Sequence, residues 1–373
     1  MEKYYGRLKR LGEDIVKFAF KNEEEMEEPD ITEHRFDDFL EELNELGDLK
    51  EYKKLSHKKE INISKKKLLK KAMKALDPEY VEKVTLDEIE RDVEWNKRIT
   101  ICINGYMSDN AANGNWNPAI TSRPNDLIYV YHFPTIVALM EDEKVQLSDF
   151  FQFKAKKIWK MLAKETNKFT AAVELAQKSG ALLAYLICLD FPQKYKKVDL
   201  IGFSLGTQVI KSCLETLKKL NVTSIIDNVY FMGGATWLNI SDVDIFDTVN
   251  TSVNHSYTKR DHTLTLYEYH QIYFGKKSKE ELKEESKEEE KENDEDSDSD
   301  EPQLKQKTKK KPIGRSKLNE EIVIALEAKG LKVNQSKVSD IVGEHLFYWK
   351  YLDEILERMD FGDVQSETDS ESD

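Results

Sequence analysis

Residues 198–214 read VDLIGFSLGTQVIKSCL, and this stretch decides the fold. Val198, Leu200 and Ile201 form an apolar run of strand type. Gly202, Ser204 and Gly206 then form G-x-S-x-G, and Val209, Ile210, Cys213, Leu214 and Leu217 recur at helical spacing after it. A strand leading into this motif and a helix leading out of it predict a nucleophile elbow, in which a serine sits on a sharp strand-to-helix turn with its hydroxyl raised above a sheet. The glycines are the residues such a turn needs, because a side chain at either position would strike the adjacent strand or helix. The helix that follows aims its N-terminal amides at the reacting oxygen.

Working outward, Arg98–Asn104 (RITICIN) and Leu127–His132 (LIYVYH) are short β-branched or aromatic runs bounded by Gly, Asn and Pro, and they read as buried strands. A helical stretch is expected over 155–189, and further strands over 228–232 and 253–258. Strands alternating with helices predict an α/β fold of α/β-hydrolase type: a mostly parallel, doubly wound sheet with helices on both faces. Before it, residues 1–95 are dense in Lys and Glu. They carry apolar stripes at helical spacing, Phe36, Phe39, Leu40, Leu43 and Leu46, then Leu68, Leu69, Ala72 and Leu76, and so predict a helical N-terminal region.

A serine hydroxyl is a poor nucleophile near neutral pH until a histidine takes its proton and a carboxylate fixes that histidine's tautomer. In α/β-hydrolases the partners follow the serine in the order acid, then histidine. Of the downstream histidines His255, His262, His270 and His345, the last lies in VSDIVGEHLFYW just before a helix, where the base is expected. For the acid, Asp261 in SYTKRDHTL lies just past an expected strand, with Asp244 and Asp340 as rivals. The oxyanion donors expected are the backbone N–H of Leu205, next after the serine, and that of Tyr106, with Met107 second, in the turn after the strand ending at Asn104-Gly105. This chemistry calls for no cofactor and no metal. The reading it competes with is an α/β-hydrolase fold that has lost turnover and serves as a binding or scaffold module.

Four strings, VDLIGFSLGTQVI, VYFMGGA, VNHSYTKRDHTL and KVSDIVGEHLFYWKYLDEIL, resemble the transmembrane and coiled-coil domain-containing protein 4 group, a family of lipase-like α/β-hydrolases of unknown function. The resemblance covers about residues 100–359. It implies an ester or acyl-lipid substrate. Where that group has Gly directly before the histidine, this chain has Glu344. Its long glycine-rich apolar segments are represented here by Gly180–Leu189 alone, ten residues that are too short to span a bilayer, so the membrane association in the family's name is not carried over. Phe133, Phe150, Phe151, Phe153 and Trp159 suit either a lid over a lipid site, compatible with peripheral membrane contact, or plain helix core.

Composition sets the outer bounds. With 57 basic and 71 acidic residues the net charge is −14, which disfavours nucleic acid as a partner. The hydrophobic share of 39% and charged share of 34% indicate a globular part diluted by solvated segments. One such segment is 276–317. Its first part, Lys276–Glu301, holds 14 acidic and 6 basic residues, and its second, Pro302–Lys317, holds 7 basic and none acidic. It reads as a disordered insertion between a core of 96–275 and its resumption over 318–361, and residues 362–373 read as an acidic disordered tail. These acidic segments are candidate contacts for protein partners. Cys102, Cys188 and Cys213 are too scattered for a disulfide framework or a metal knuckle, and with no signal-peptide pattern at the start they predict a cytoplasmic protein.

Overall fold

The computed structural model describes residues 31–35, 52–55, 60–63, 84–89, 98–105, 114–133, 155–192, 195, 197–265, 267–268 and 311–362. Its centre is an eight-stranded sheet. The strands, in chain order, are β1 (Ile31–Arg35), β4 (Thr85–Ile89), β5 (Arg98–Ile103), β6 (Leu127–His132), β7 (Lys197–Phe203), β8 (Ile226–Met232), β9 (Val249–Tyr257) and β10 (Lys332–Lys337), while β2 (Tyr52–Leu55) and β3 (Glu60–Ile63) form a separate hairpin. The spatial order is β1-β4-β6-β5-β7-β8-β9-β10. All neighbours from β6 to β10 run parallel, and β4 runs antiparallel to both β6 and β1. This order, with its second strand reversed, is the α/β-hydrolase fold.

The strands β5 to β8 are largely apolar on both faces because both faces are covered. On one side Ile99, Ile101, Ile103, Leu200, Val229 and Val253 pack against α2 (Ala155–Leu189), α3 (Gly206–Lys219) and α4 (Glu320–Ala328). On the other, Cys102, Ile128, Val130, Ile201, Phe203 and Met232 pack against α1 (Asn117–Ser122) and α5 (Leu352–Arg358). The period-2 alternation that divides Ile101 from Cys102 thus serves two cores rather than one core and solvent. Helices α2 and α3 approach closely at Gly180, where a Cβ would lie 2.3 Å from the Val209 carbonyl oxygen. The stretch Ala171–Leu189 of α2 is long and apolar enough by composition to cross a membrane, longer than the ten residues read from sequence, yet Leu182, Leu183, Leu186 and Ile187 are buried within the domain. All three cysteines are buried and unbridged.

The structure bears on three expectations. Within 1–95 the described residues are strands, not helices. Leu86 and Ile89 of β4 are 1% exposed, and the polar residues between them find partners: Asp87 accepts from Thr85 Oγ1 (2.8 Å) and pairs with His132, and Glu88 accepts from Tyr129 Oη (2.9 Å). Satisfied carboxylates let a strand with charged residues join the sheet. Both apolar stripes read as helical lie outside the described residues. Second, the insertion ends before 317. Ile313 and Gly314 are buried, and their amides donate to the carbonyls of Thr236 (2.9 Å) and Gly234 (2.9 Å). Residues 276–310 and 363–373 lie outside the described residues. Third, of the two readings left open for Phe133 the structure shows the core one, with the ring stacked on Tyr131, while Phe150, Phe151, Phe153 and the Trp159 side chain lie outside the described residues.

Strand order also locates the crevice. From β5 the chain moves outward to β6, then returns across β5 to β7, so the connections leave these two strands in opposite directions. Ligands in open α/β sheets bind at such a reversal, outside the carboxyl ends of the strands. Gly105 and Ser204 stand there, one after β5 and the other after β7.

Candidate active site

Ser204 follows the last residue of β7 and has φ +53°, a left-handed conformation that few non-glycine residues adopt. The neighbourhood holds it there. Its amide donates to the Met232 carbonyl at the end of β8 (2.9 Å), and its own carbonyl accepts from Thr207 Oγ1 (2.6 Å) and from the Ala235 amide (3.0 Å). The motif glycines are required by contact: a Cβ at Gly206 would lie 2.4 Å from the Ile103 carbonyl oxygen, and one at Gly202 would lie 2.8 Å from Gly206. A Cβ at Gly105 would lie 2.9 Å from the Ser204 Cβ, so the turn after β5 passes directly beside the serine.

His345 opens a 3-10 turn, His345–Tyr351, a few residues after β10, and Asp261 lies in the turn after β9. The structure brings both to Ser204. The His345 Nε2 is 2.7 Å from Ser204 Oγ, and its Nδ1 is 2.5 Å from Asp261 Oδ2. Because an ionised carboxylate only accepts, Nδ1 carries the proton given to Asp261, which leaves Nε2 as acceptor for the serine hydroxyl. Asp261 is fully buried, and its other oxygen accepts from the Leu264 amide (2.8 Å). Phe203 stacks on the His345 ring with centroids 4.8 Å apart. Burial and the charge of Asp261 push the Tyr348 phenol well above its usual range, which keeps it neutral beside the pair.

The rivals fall elsewhere. Asp340 is on the surface, bonded by both guanidinium nitrogens of Arg358 (2.8 Å each), and that bonding holds its carboxyl down at about 2. Asp244 pairs with Lys329 at the exposed end of α4 (3.1 Å). His255 is a core histidine: burial pushes it down to about 4, outweighing the Ile313 carbonyl that accepts from its Nε2 (2.8 Å). His262 pairs with Glu344. Leu205 caps α3 with helical backbone angles, directly after the serine. Tyr106, Met107 and His270 lie outside the described residues.

Sequence reasoning missed the aromatic wall beside the serine. Trp349 meets Phe203 edge-on at 4.8 Å and Trp116 at 5.0 Å, and Trp116 Nε1 donates to Asn104 Oδ1 (2.8 Å). The signal was present in FYW shortly after His345, but it reads as ordinary helix core until the tertiary structure brings it back over Phe203.

Residues 156–294 match the model of a family described only as a protein of unknown function, DUF726, which spans the elbow and the turn bearing Asp261. Two segments match an uncharacterized membrane protein of the fission yeast Schizosaccharomyces pombe, one 35% identical over 83 residues and one 39% identical over 67, covering 21% and 18% of this chain. Those segments span only 10% and 11% of that protein's length. Among solved structures, esterase B from Lactobacillus rhamnosis, inhibited by a tributyrin phosphonate, aligns at 10% identity and TM-score 0.38 over 96% of this chain and 92% of its own. A hyperthermophilic esterase from Pyrobaculum calidifontis aligns at 8% identity and TM-score 0.36, covering 94% and 84%.

Proposed function

We propose that the protein is a serine hydrolase acting on an ester or acyl-lipid substrate. Ser204 Oγ attacks the substrate carbonyl carbon as His345 Nε2 takes the hydroxyl proton, and Asp261 holds the resulting imidazolium. The backbone amides of Leu205 and Tyr106 receive the oxyanion. Collapse of the tetrahedral intermediate expels the alcohol, which leaves with the proton from His345. Water, deprotonated by the same Nε2, then cleaves the acyl-enzyme and restores the serine.

The observation that carries this reading is the unbroken hydrogen-bond chain Ser204 to His345 to Asp261, drawn from three separate strand ends, with the serine held at positive φ. A buried serine, imidazole and carboxylate linked in this order have no packing purpose that apolar side chains would not serve better. The lipid character of the substrate rests on the likeness to the transmembrane and coiled-coil domain-containing protein 4 group. We also read residues 84–361, apart from 276–310, as the hydrolase domain.

The test is covalent labelling with a fluorophosphonate, which reports an activated serine without requiring the natural substrate. Wild type should label, and Ser204→Ala should not. Labelling that survives in Ser204→Ala would move the nucleophile elsewhere, and an unlabelled wild type would sink the hydrolase reading.

A further inference from the structure

The turn that supplies the acid and the turn that supplies the base are laced together well beyond the Asp261–His345 contact. The Val338 amide donates to the Tyr257 carbonyl (3.0 Å), the Lys259 amide to Ser339 Oγ (3.2 Å), and Thr258 Oγ1 to the Val342 carbonyl (3.1 Å). The lacing ends in two crossed pairs. Asp261 accepts from His345, and the residues beside them pair in the reverse sense: His262 Nδ1 lies 2.5 Å from Glu344 Oε1. Each turn thus gives one imidazole and one carboxylate. The outer pair is partly buried, with side-chain exposures of 29% for His262 and 17% for Glu344.

The outer pair stands at the entry to the base-bearing turn. On that approach Val342 is buried and its carbonyl accepts from Thr258 Oγ1, a Cβ at Gly343 would meet nothing within 4 Å, and the Glu344 side chain makes the next tie between the two turns. Glu344 caps the 3-10 turn that His345 begins, with extended angles (φ −143°, ψ 160°), and its carbonyl accepts from the Phe347 amide (3.1 Å). A rotation of the Glu344 peptide would swing the His345 ring away from one of its two partners. The Glu344 carboxylate, held by the ring next to Asp261, opposes that rotation.

We propose that His262 and Glu344 are positioning residues of the reaction: their bond ties the base-bearing turn to the acid-bearing turn and keeps the His345 ring on Ser204 and Asp261 together. The proposal rests on the hydrolase reading, in which the alignment of His345 has a kinetic consequence. Neither residue touches the reacting atoms. The pair acts through hydrogen-bond geometry, so an amide in place of the carboxylate preserves it: after Glu344→Gln the side-chain carbonyl still accepts from the His262 N–H.

The experiment measures two things on the full-length protein: the second-order rate of Ser204 labelling by a fluorophosphonate, and the low-field proton resonance of His345 Nδ1–H, identified by its loss in Asp261→Asn. Glu344→Ala and His262→Phe should each slow labelling about ten-fold, as expected for a misplaced reacting group, and should broaden the resonance. Glu344→Gln should leave both within about two-fold of wild type, and the double variant should be no slower than either single one. His262→Phe keeps a somewhat larger aromatic ring at this partly exposed position and removes the donor, so it carries the test if Glu344→Ala fails to fold. Wild-type labelling and resonance in both Ala and Phe variants would overturn the proposal, and so would Glu344→Gln being as impaired as Glu344→Ala. Absence of labelling in wild type would instead sink the hydrolase reading, and the resonance would still decide whether the pair positions His345.

Discussion

The two ends of β7 hold buried polar clusters built to opposite specifications. At the strand's start, Asp199 Oδ1 accepts from the Asn228 amide and its Nδ2 (2.9 Å each), and Oδ2 accepts from Arg98 (2.9 Å) and from Arg123. Arg98 also pairs with Asp227 (2.9 Å), and Arg123 reaches Asp126 (3.2 Å) and Tyr230 Oη (2.8 Å) while lying 4.2 Å from the centre of the Phe361 ring. Burial works to raise the Asp199 carboxyl, but the two guanidinium groups outweigh it and hold the group below the usual carboxylate range. At the strand's end, Asp261 has one amide and one imidazole, and a neutral hydroxyl completes the chain. The lower cluster ties full charges to full charges and leaves nothing to move. The upper one strings a proton between groups of unequal affinity. Buried polarity serves as fastening in the first case and, in the proposed mechanism, as chemistry in the second.

Substitutions at the two ends should therefore separate rate from stability. The largest effect is expected for Asp261→Asn, which should lower the labelling rate about 10⁴-fold by freeing the wrong His345 tautomer, with little change in melting temperature. A rate within ten-fold of wild type would remove Asp261 from the proposed mechanism. At the other end, Arg123→Met should cost about 3–5 kcal/mol of stability, because it leaves Asp199 and Asp126 short of a charge partner in the interior. The fraction still folded in urea titrations should label at the wild-type rate, and a slowed folded fraction would mean that the two ends are coupled.

The pH dependence of stability is the next largest. Burial pushes His255 from 6.5 down to about 4, so the unfolded chain takes up its proton first as the solution is acidified. The contribution is whole above pH 6.5 and falls away as pH drops toward 4, by up to about 3 kcal/mol if the shift is fully expressed. His255→Gln keeps a donor for the Ile313 carbonyl and should flatten the urea midpoint across that window. An unchanged slope would place the acid sensitivity on other groups.

The smallest effect is expected from residues 276–310. Replacing them with a Gly/Ser linker should change stability by no more than about 1 kcal/mol, since loop closure depends only weakly on length. Carrying the replacement on to 317 should unfold the protein, because Gly314 lies where even a Cβ would come within 2.3 Å of Gly233, and the Ile313 side chain is core. Equal melting curves for the two replacements would contradict the packing described for Ile313 and Gly314.

The same contrast explains what the sequence disclosed. Strands β5 to β8 and the elbow announce themselves because their burial depends on apolar residues at a local period. The proposed acid could be named because it lies just past an expected strand, and the proposed base because it lies just before a helix, in the chain order that an elbow serine implies. What stayed hidden was burial arranged by distant partners. Thr85–Ile89 carries two carboxylates and falls in the region read as helical, and only the contacts of His132, His34 and Tyr129 show how such a segment is buried as a strand. Strand β10, KVNQSK, has scarcely an apolar residue and joins the sheet as an edge, paired with β9 on one side only. Pro312–Ser316 looks like the end of a charged segment, and only the carbonyls of Gly234 and Thr236 reveal it as core.

The proposed nucleophile and base are 141 residues apart in the chain, and the acid precedes the base by 84. During synthesis at about 5–20 residues per second, the elbow serine thus emerges roughly ten seconds before the imidazole that would activate it. For that interval the nascent chain carries an unarmed hydroxyl amid whatever esters surround the ribosome. In the proposed mechanism, the serine gains its base only once the last described strand and the turn after it have been made.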